Sequence, residues 1–492
     1  MRQNRRKART IGGFVLFVFI ATFVFLLAQW ITKTGLFKVP GAVYYDISVN
    51  DEEKLFLNEI FNDEIVLDED VRISAMYSLE RPMTAGGTYI YNIYVPVTDF
   101  YSINENISID NAEDFFSDAN QQAFDYTVIP LDELDFTKKL LSINGKYYLD
   151  DFNTGAIFRV LRFESEKFGS EIEPLVGSKL AKHYPDDGEV LSFAQTGVTA
   201  LSRGMNEMLE KVGDASFFAN NIGDFLAGFD LTHTSNESSF SELASRNNIC
   251  SDARFIDTLL SIGLDIVELT GNHNQDCGDE AAERTIDIYA ENQISIVGGG
   301  KTAEDAANPL LINKKGNNIT MLAYNLSTGG ATVDDSPGAN QYEESKVISD
   351  INSAKERGDF VIVDIQYYEC SAYASEFEDT TCDRADSSAG DQIGLFRHLI
   401  DLGADIVVGT SAHQPQTFEL YGDGVIYYGL GNLFFDQIWW PGTTRSLILA
   451  HYFYNGNLLQ TRVIPTEYDH TMQTKIMNDY GWFLQRLINV RP

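Results

Sequence analysis

Two histidines stand where a polar loop follows an apolar run. His273 lies in GNHNQDCG, Gly271 to Gly278, directly after DIVELT, and His413 ends GADIVVGTSAH, Gly403 to His413. An imidazole can ligate a metal through a ring nitrogen, and its ordinary pKa also suits it to proton transfer. Asn272, beside the first histidine, can offer a carbonyl oxygen to a metal. Asp276 lies near enough in sequence to orient the His273 ring. A lone histidine is usually structural. Two of them, each just past a strand-like run in one region, argue for a site.

Such loops need strands and helices to hold them. ARFIDTLLSIGL reads as a helix, with apolar residues at i, i+3 and i+4 and a glycine near its end. EAAERTIDIYAEN reads as a second helix and QISIVGGG as a strand and turn. The alternation recurs in FVIVDIQYYE, GLFRHLIDLGADIVVGTSAH and GVIYYGLGNLFFDQ. Apolar runs that end in polar loops are the pattern of buried strands with function at their ends. This predicts an α/β layered domain over 188–468, followed by a helical tail over 469–492. The turn-rich HYPDDGE, His183 to Glu189, marks its start. Before it, residues 44–187 carry short β-like runs such as GTYIYNIYVPV between acidic helical stretches, which predicts a smaller α/β module. The chain has 492 residues, 44% hydrophobic and 12% aromatic, enough for two or three globular domains with real cores.

Charge is distributed unevenly. Arg2, Arg5, Arg6, Lys7 and Arg9 fill a basic segment, 1–10, ahead of an uncharged apolar run, 11–31. That run is long enough to span a bilayer, and the positive-inside rule puts its N-terminus in the cytoplasm and everything after it outside. A cleaved signal peptide would have a shorter apolar stretch and a small-x-small site, so an uncleaved single-pass anchor is the better reading. Residues 32–43 form a tether. The net charge of −36 repels nucleic acid over the Debye range and excludes it as a partner. Four cysteines, Cys250, Cys277, Cys370 and Cys382, include no C-x-x-C pair and allow three disulfide connectivities. Cys370 and Cys382, close in sequence around an acidic loop, are expected to be able to pair outside the cytoplasm.

The order of these segments resembles the CapA family of capsule and poly-γ-glutamate biosynthesis proteins. CapA-like chains have a loop like N-N-H-x-x-D-x-G, then H-W-G-x-E, then G-A-D-x-V-x-G-x-H-x-H and S-L-G-N-F-x-F-D. This chain has GNHNQDCG, then QYYE (Gln366 to Glu369), then GADIVVGTSAH and GLGNLFFD. TSNESS, Thr234 to Ser239, resembles the family's N-L-E, and TGVTALSR, Thr196 to Arg203, lies where the family has G-D-x-M-x-x-R. The stretch VIPLDELDFTKKLLSINGKYYLDD resembles a small binding-protein-like region found before the CapA domain in some homologues.

The resemblance implies a calcineurin-like metallophosphoesterase sandwich, preceded by the smaller module and one transmembrane helix. It implies Glu237, Asn272 and His413 as metal ligands, His273 as the acid–base residue held by Asp276, and Arg203, Glu369 and Asn432 facing the substrate. Partners would be the membrane, a cell-surface anionic polymer or its precursor, and other synthesis or export subunits. Three positions depart from the pattern. The first-strand Asp is matched by Gly197, the histidine of H-W-G by Gln366, and the first histidine of the later motif by Thr410. Gly, Gln and Thr are poor substitutes for carboxylate and imidazole. A divalent metal count of one or none therefore suits the chain better than two. The function implied is a metal-dependent hydrolase in polymer synthesis or export. The alternative is a non-catalytic member of the fold that scaffolds or binds a surface polymer.

Overall fold

A computed structural model describes residues 43–61, 70–166, 168–180, 184–327, 329–330, 336–368 and 390–492. The basic segment, the 11–31 run, Glu369, Cys370 and Cys382 lie outside these residues. Among the described residues no helix is long and apolar enough to cross a membrane. The chain forms two compact units, one from residues up to Tyr94 together with Ile157–His183, the other from Val95–Ala156 with Tyr184–Pro492. The grouping differs from the 44–187 module: residues 95–156 go with the larger unit.

In the smaller unit, Ile157–Glu164 lies between Val71–Ser78 and Thr88–Asp99 and is antiparallel to both. The helix Asp51–Ile60 starts on a capping box in which Asn50 and Glu53 satisfy each other's backbone N–H groups. Glu53 is also held by Arg159 through two bonds of 2.6 and 2.8 Å, so a buried charge is paired rather than stranded. Leu57, Ile73, Leu161, Phe163 and Val176 fill the core beneath.

The larger unit is a mixed α/β sandwich of two sheets. The first has the order Ser295–Val297, Ile266–Glu268, Leu231–Asn236, Leu191–Thr199, Arg445–Tyr454, Asn457–Glu467, Lys475–Ile476, and Asn432–Phe434 also pairs with Leu191–Thr199. The second runs Leu310–Lys314, Asn317–Asn325, Phe360–Gln366, Ile406–Gly409, Gly424–Tyr427, Phe418–Tyr421. Four neighbouring strands in each sheet are parallel. Parallel strands present their C-terminal ends at one edge, and loops gather there. The helices Glu344–Glu356 and Gln392–Asp401 cover the outer face of the second sheet through Val347, Ile351, Phe396 and Leu399. The C-terminal helix Gly481–Asn489 inserts Phe483, Leu487 and Ile488 into the core between the sheets.

Side chains alternate faces along a strand, so every second residue points between the sheets. Along those inward rows the chemistry changes part-way. Leu191 and Phe193 are followed by Gln195, Leu231 by His233 and Ser235, Ile266 by Glu268, Ile362 by Asp364 and Gln366, Ile406 and Val408 by Thr410. All of these polar residues are at most 1% exposed. The N-terminal halves of the strands build an apolar core, each large side chain contributing about 1.5–3 kcal/mol. The C-terminal halves build a buried polar layer that leads to the loops.

Candidate functional site

Gln195, His233, Glu268 and Asp364 form the floor. Gln195 Nε2 donates to Asp364 Oδ1 at 2.7 Å, and its carbonyl oxygen lies 3.2 Å from His451 Nε2. His233 Nε2 is 3.3 Å from Asp364 Oδ2. Burial pushes the Glu268 acid up to about 8, and the nearby Asp364 carboxylate adds to the effect. The hydroxyl of Ser235, the N–H of Thr270 and the hydroxyl of Thr410 pull in the other direction. Burial also takes His451 down to about 3, so it is a neutral ring between hydrogen-bond partners.

Above the floor lie the loop residues. Glu237 follows the strand Leu231–Asn236, and its N–H is bonded to Thr199 O at 2.9 Å. Gly271 passes so close that a Cβ there would sit 2.7 Å from Glu237 Cα, and only glycine admits that approach. Gly278 ends the same loop at φ 88° before the helix Asp279–Glu291. The loop is also tied by a disulfide, Cys250–Cys277, with Cα atoms 5.9 Å apart. Asn274 donates to Leu269 O at 2.9 Å.

Gln366 Nε2 donates to Asn272 Oδ1 at 3.0 Å and lies 3.5 Å from Glu237 Oε1. The reverse amide orientation would set an oxygen against two oxygens, so the donor side is fixed. His413 faces the same carboxylate, its Nε2 3.9 Å from Glu237 Oε2. Its Nδ1 bonds Asn432 Oδ1 at 2.8 Å and must carry the proton, which leaves Nε2 with a lone pair. Burial lowers the His413 pKa to about 4; the bond to Asn432 opposes this, while His273 and Arg203 add to the lowering. Asn432 donates in turn to Thr443 O and Gln437 Oε1 at 3.0 and 3.3 Å.

Arg203 enters from the other side. Its backbone is left-handed, φ 51°, its guanidinium lies 4.4 Å over the Phe435 ring, and Phe435 is 5.3 Å from the His413 ring. Asp436 accepts from Arg203 Nε at 3.0 Å and Nη2 at 2.5 Å, and from Gly204 N at 2.9 Å. His273 is more open. Its side chain is 24% exposed, with Nδ1 bonded to Asp276 Oδ2 at 2.8 Å.

The structure thus joins Glu237 to Asn272 through Gln366 and to Asn432 through His413. Arg203 adjoins them through Phe435. His273, partly exposed and bonded to Asp276, is near enough to act on the His413 pKa, and Glu369 lies outside the described residues. Among the described residues no set of side chains fits a two-metal centre. Counted back from Arg203, the G-D-x-M-x-x-R pattern sets its Asp against Val198, one residue beyond Gly197, and neither supplies a ligand. A Cβ on Gly197 would lie 2.1 Å from Gly431 O, so no side chain fits there at all. Gln366 sets an N–H donor, not a ligand, against Asn272 Oδ1 and Glu237 Oε1. Among the described residues no three His, Cys, Asp or Glu side chains are grouped to hold a metal.

Sequence reasoning had not singled out Gln195, His233, Glu268 or Asp364, nor Phe435, Asp436 and the Cys250–Cys277 pairing. The signal for the first four was present: a charged or polar residue at the inward parity of an apolar run.

Comparison with known proteins adds the relationship. The family model described as bacterial capsule synthesis protein PGA_cap matches residues 192–437. "PGA biosynthesis protein CapA" of Bacillus subtilis (strain 168) is 27% identical over 337 residues, covering 66% of this chain and 83% of that protein. "Capsule biosynthesis protein CapA" of Bacillus anthracis is 24% identical over 286 residues, covering 56% of this chain and 66% of that protein. A solved structure, of a hypothetical protein from Thermus thermophilus, aligns with 56% of this chain and 99% of its own at 13% identity and a TM-score of 0.30.

Proposed function

Because the chain belongs to the bacterial capsule synthesis protein family PGA_cap, we propose that it works in the synthesis or export of capsule or poly-γ-glutamate. It would do so at the outer face of the cell membrane, anchored by residues 11–31, with its sandwich a calcineurin-like metallophosphoesterase domain. The names of its relatives support the pathway. The Cys250–Cys277 disulfide supports an oxidising compartment.

The observation that carries the site reading is the Gln366 amide between Asn272 and Glu237. It favours a site working with one cation or none. A single divalent cation would be held by Glu237, Asn272 and His413, and would supply Lewis acidity toward a phosphoryl or carbonyl oxygen. The chain's own groups have distinct tasks. Asn432 fixes the His413 tautomer so that Nε2 faces the site. Asp276 orients His273, whose exposed ring can take or give a proton. Asp436 and Phe435 hold Arg203 in place beside an incoming anionic group. The same amide also favours the alternative, a non-catalytic site that binds or scaffolds a polymer.

Metal analysis of the purified protein, with phosphatase assays before and after chelation, separates the two. Polymer production in cells carrying Glu237→Gln tests the pathway and the site together. Unchanged production in that strain would refute the site reading.

A further inference from the structure

The first sheet of the larger unit carries a cavity of about 320 Å³ on its outer face. Small-molecule sites run from about 300 to 1,000 Å³. The cavity lies where the strand Leu191–Thr199 begins, whereas the candidate site gathers beyond the ends of the parallel strands. Its floor is Ser192 and Tyr452, register partners on neighbouring strands. Leu191 and Phe453 beside them turn into the core, so these two turn outward. Phe225 and Phe229 form a wall, from the helix Gly223–Leu226 and the turn after it. Their rings stand edge to face, centroids 5.4 Å apart and planes at 79°. Asp150 and Phe152 reach in from the 95–156 segment, and Asp187 from the turn before Leu191.

Four carboxylates stand in or beside this cavity, and two of them are neutralised. Asp150 accepts from the Tyr452 hydroxyl and from Arg462 Nη1, the latter at 3.2 Å. Asp230, next to the floor, accepts from Ser192 N at 2.9 Å and from Lys315 Nζ at 2.7 Å. The other Lys315 bonds go to the backbone oxygens of Asp187 and Val190 at 2.6 and 3.0 Å. Asp187 and Asp224 also line the cavity. Among the described residues no cation pairs with either of their carboxylates.

Rings and carboxylates together select one kind of ligand. An aromatic face attracts a cation, by about 0.5–2 kcal/mol. It cannot ligate Mg²⁺ or Ca²⁺, which take oxygen ligands. A cation suited to both surfaces carries its charge on nitrogen and its bulk on carbon. Two unpaired carboxylates in one cavity call for two charges on one molecule. We propose that this cavity binds a diffusible alkyl diamine or polyamine, with its ammonium groups at Asp187 and Asp224 and its methylene chain against Phe225 and Phe229. The site shares no residue with the machinery around Glu237 and His413, so the proposal does not rest on the polymer-synthesis reading.

The test is calorimetric titration of the full chain in uncharged detergent micelles with cadaverine, spermidine, acetyl-lysine amide and Mg²⁺. Cadaverine or spermidine should bind, and Mg²⁺ at the same concentration should not displace it. Acetyl-lysine amide, with one charge, should bind more weakly than either. The Asp187→Asn/Asp224→Asn variant should weaken amine binding about fivefold or more. Both positions are exposed, so this variant should fold. Phe225→Leu/Phe229→Leu keeps apolar bulk but removes the ring faces and, once circular dichroism shows it folded, should weaken binding about threefold or more. Binding of neither amine, displacement by Mg²⁺, or unchanged affinity in the asparagine variant or the folded leucine variant would overturn the proposal. Tighter binding of acetyl-lysine amide than of spermidine would overturn it too, in favour of a lysine on a partner protein.

Discussion

The side-chain nitrogen of Gln366 lies 3.0 Å from the side-chain oxygen of Asn272, a donor where the family pattern has a ligating imidazole. The amide gives that oxygen, and Glu237 Oε1 beside it, a protein donor. Gln366→His removes the amide and supplies a ring nitrogen at the same strand end. The expected result is tighter Mn²⁺ or Zn²⁺ binding, by about tenfold or more, in a calorimetric titration. Equal affinity in the variant and the parent would show that Gln366 is not what limits metal binding.

Gly197 is closed to any side chain by Gly431 O, 2.1 Å from where its Cβ would be. Gly197→Ala should destabilise the larger unit by about 3 kcal/mol or more, since backbone rather than a pliable side chain must move. Thermal unfolding reads this directly. A loss below about 0.5 kcal/mol, the range of a neutral surface substitution, would mean that the two strands separate easily there.

Glu268 gives the fold a pH signature. Its pKa is raised from 4.5 to about 8 by burial, then by Asp364. Between those values the folded chain binds more protons than the unfolded chain, so this group's contribution to stability falls as pH rises. The slope is at most about 1.4 kcal/mol per pH unit. Below 4.5 the acid is protonated in both states and costs nothing; above about 8 the cost is complete. His413 and His451, both lowered, act in the opposite sense, so the comparison must be between variant and parent. Glu268→Gln should gain stability relative to the parent as pH rises from about 5 to about 8. Asp364→Asn should move the Glu268 titration down. A constant difference between Glu268→Gln and parent across that range would contradict the raised pKa.

The disulfide closes a span of 27 residues and ends in the loop that carries His273. Replacing both Cys250 and Cys277 by Ser should cost about 3.5 kcal/mol by loop-closure entropy. Hydrogen exchange should quicken first at residues 271–278. Unchanged exchange in that loop, with the melting temperature unaltered, would show that the other bonds of the loop hold it unaided.

Much of this arrangement was legible before the fold was known, and the limits have a physical cause. DIVELT, FVIVDIQ and GADIVVG announce buried parallel strands because their apolar runs are short and end in polar loops. His273 and His413 stand out because they lie just past those runs. The floor residues were hidden by the same runs. In FVIVDIQ, Asp364 looks like an isolated exception, and only the registers that set it beside Ala323 and Val408, with Gln195 opposite, give it a neighbourhood. The pairing of Cys250 with Cys277 depends on where the short strand Cys250–Ser251 meets a later loop, which no local pattern encodes. The grouping of residues 95–156 with the later sandwich is equally non-local.

The strand Ile157–Glu164 lies in the middle of its sheet in the smaller unit, yet it is made last. Val71–Ser78 and Thr88–Asp99 both hydrogen-bond to it, and the chain makes the whole of 95–156 before it appears. At roughly 5–20 residues per second, the two flanking strands emerge several seconds before the partner that joins them. During that interval each has an open edge facing where Ile157–Glu164 will go, and open edges pair with whatever strand comes first. Assembly of this unit is therefore ordered by biosynthesis: it closes only after the excursion is complete. A chain cut between residues 99 and 157 would leave two strands with no centre.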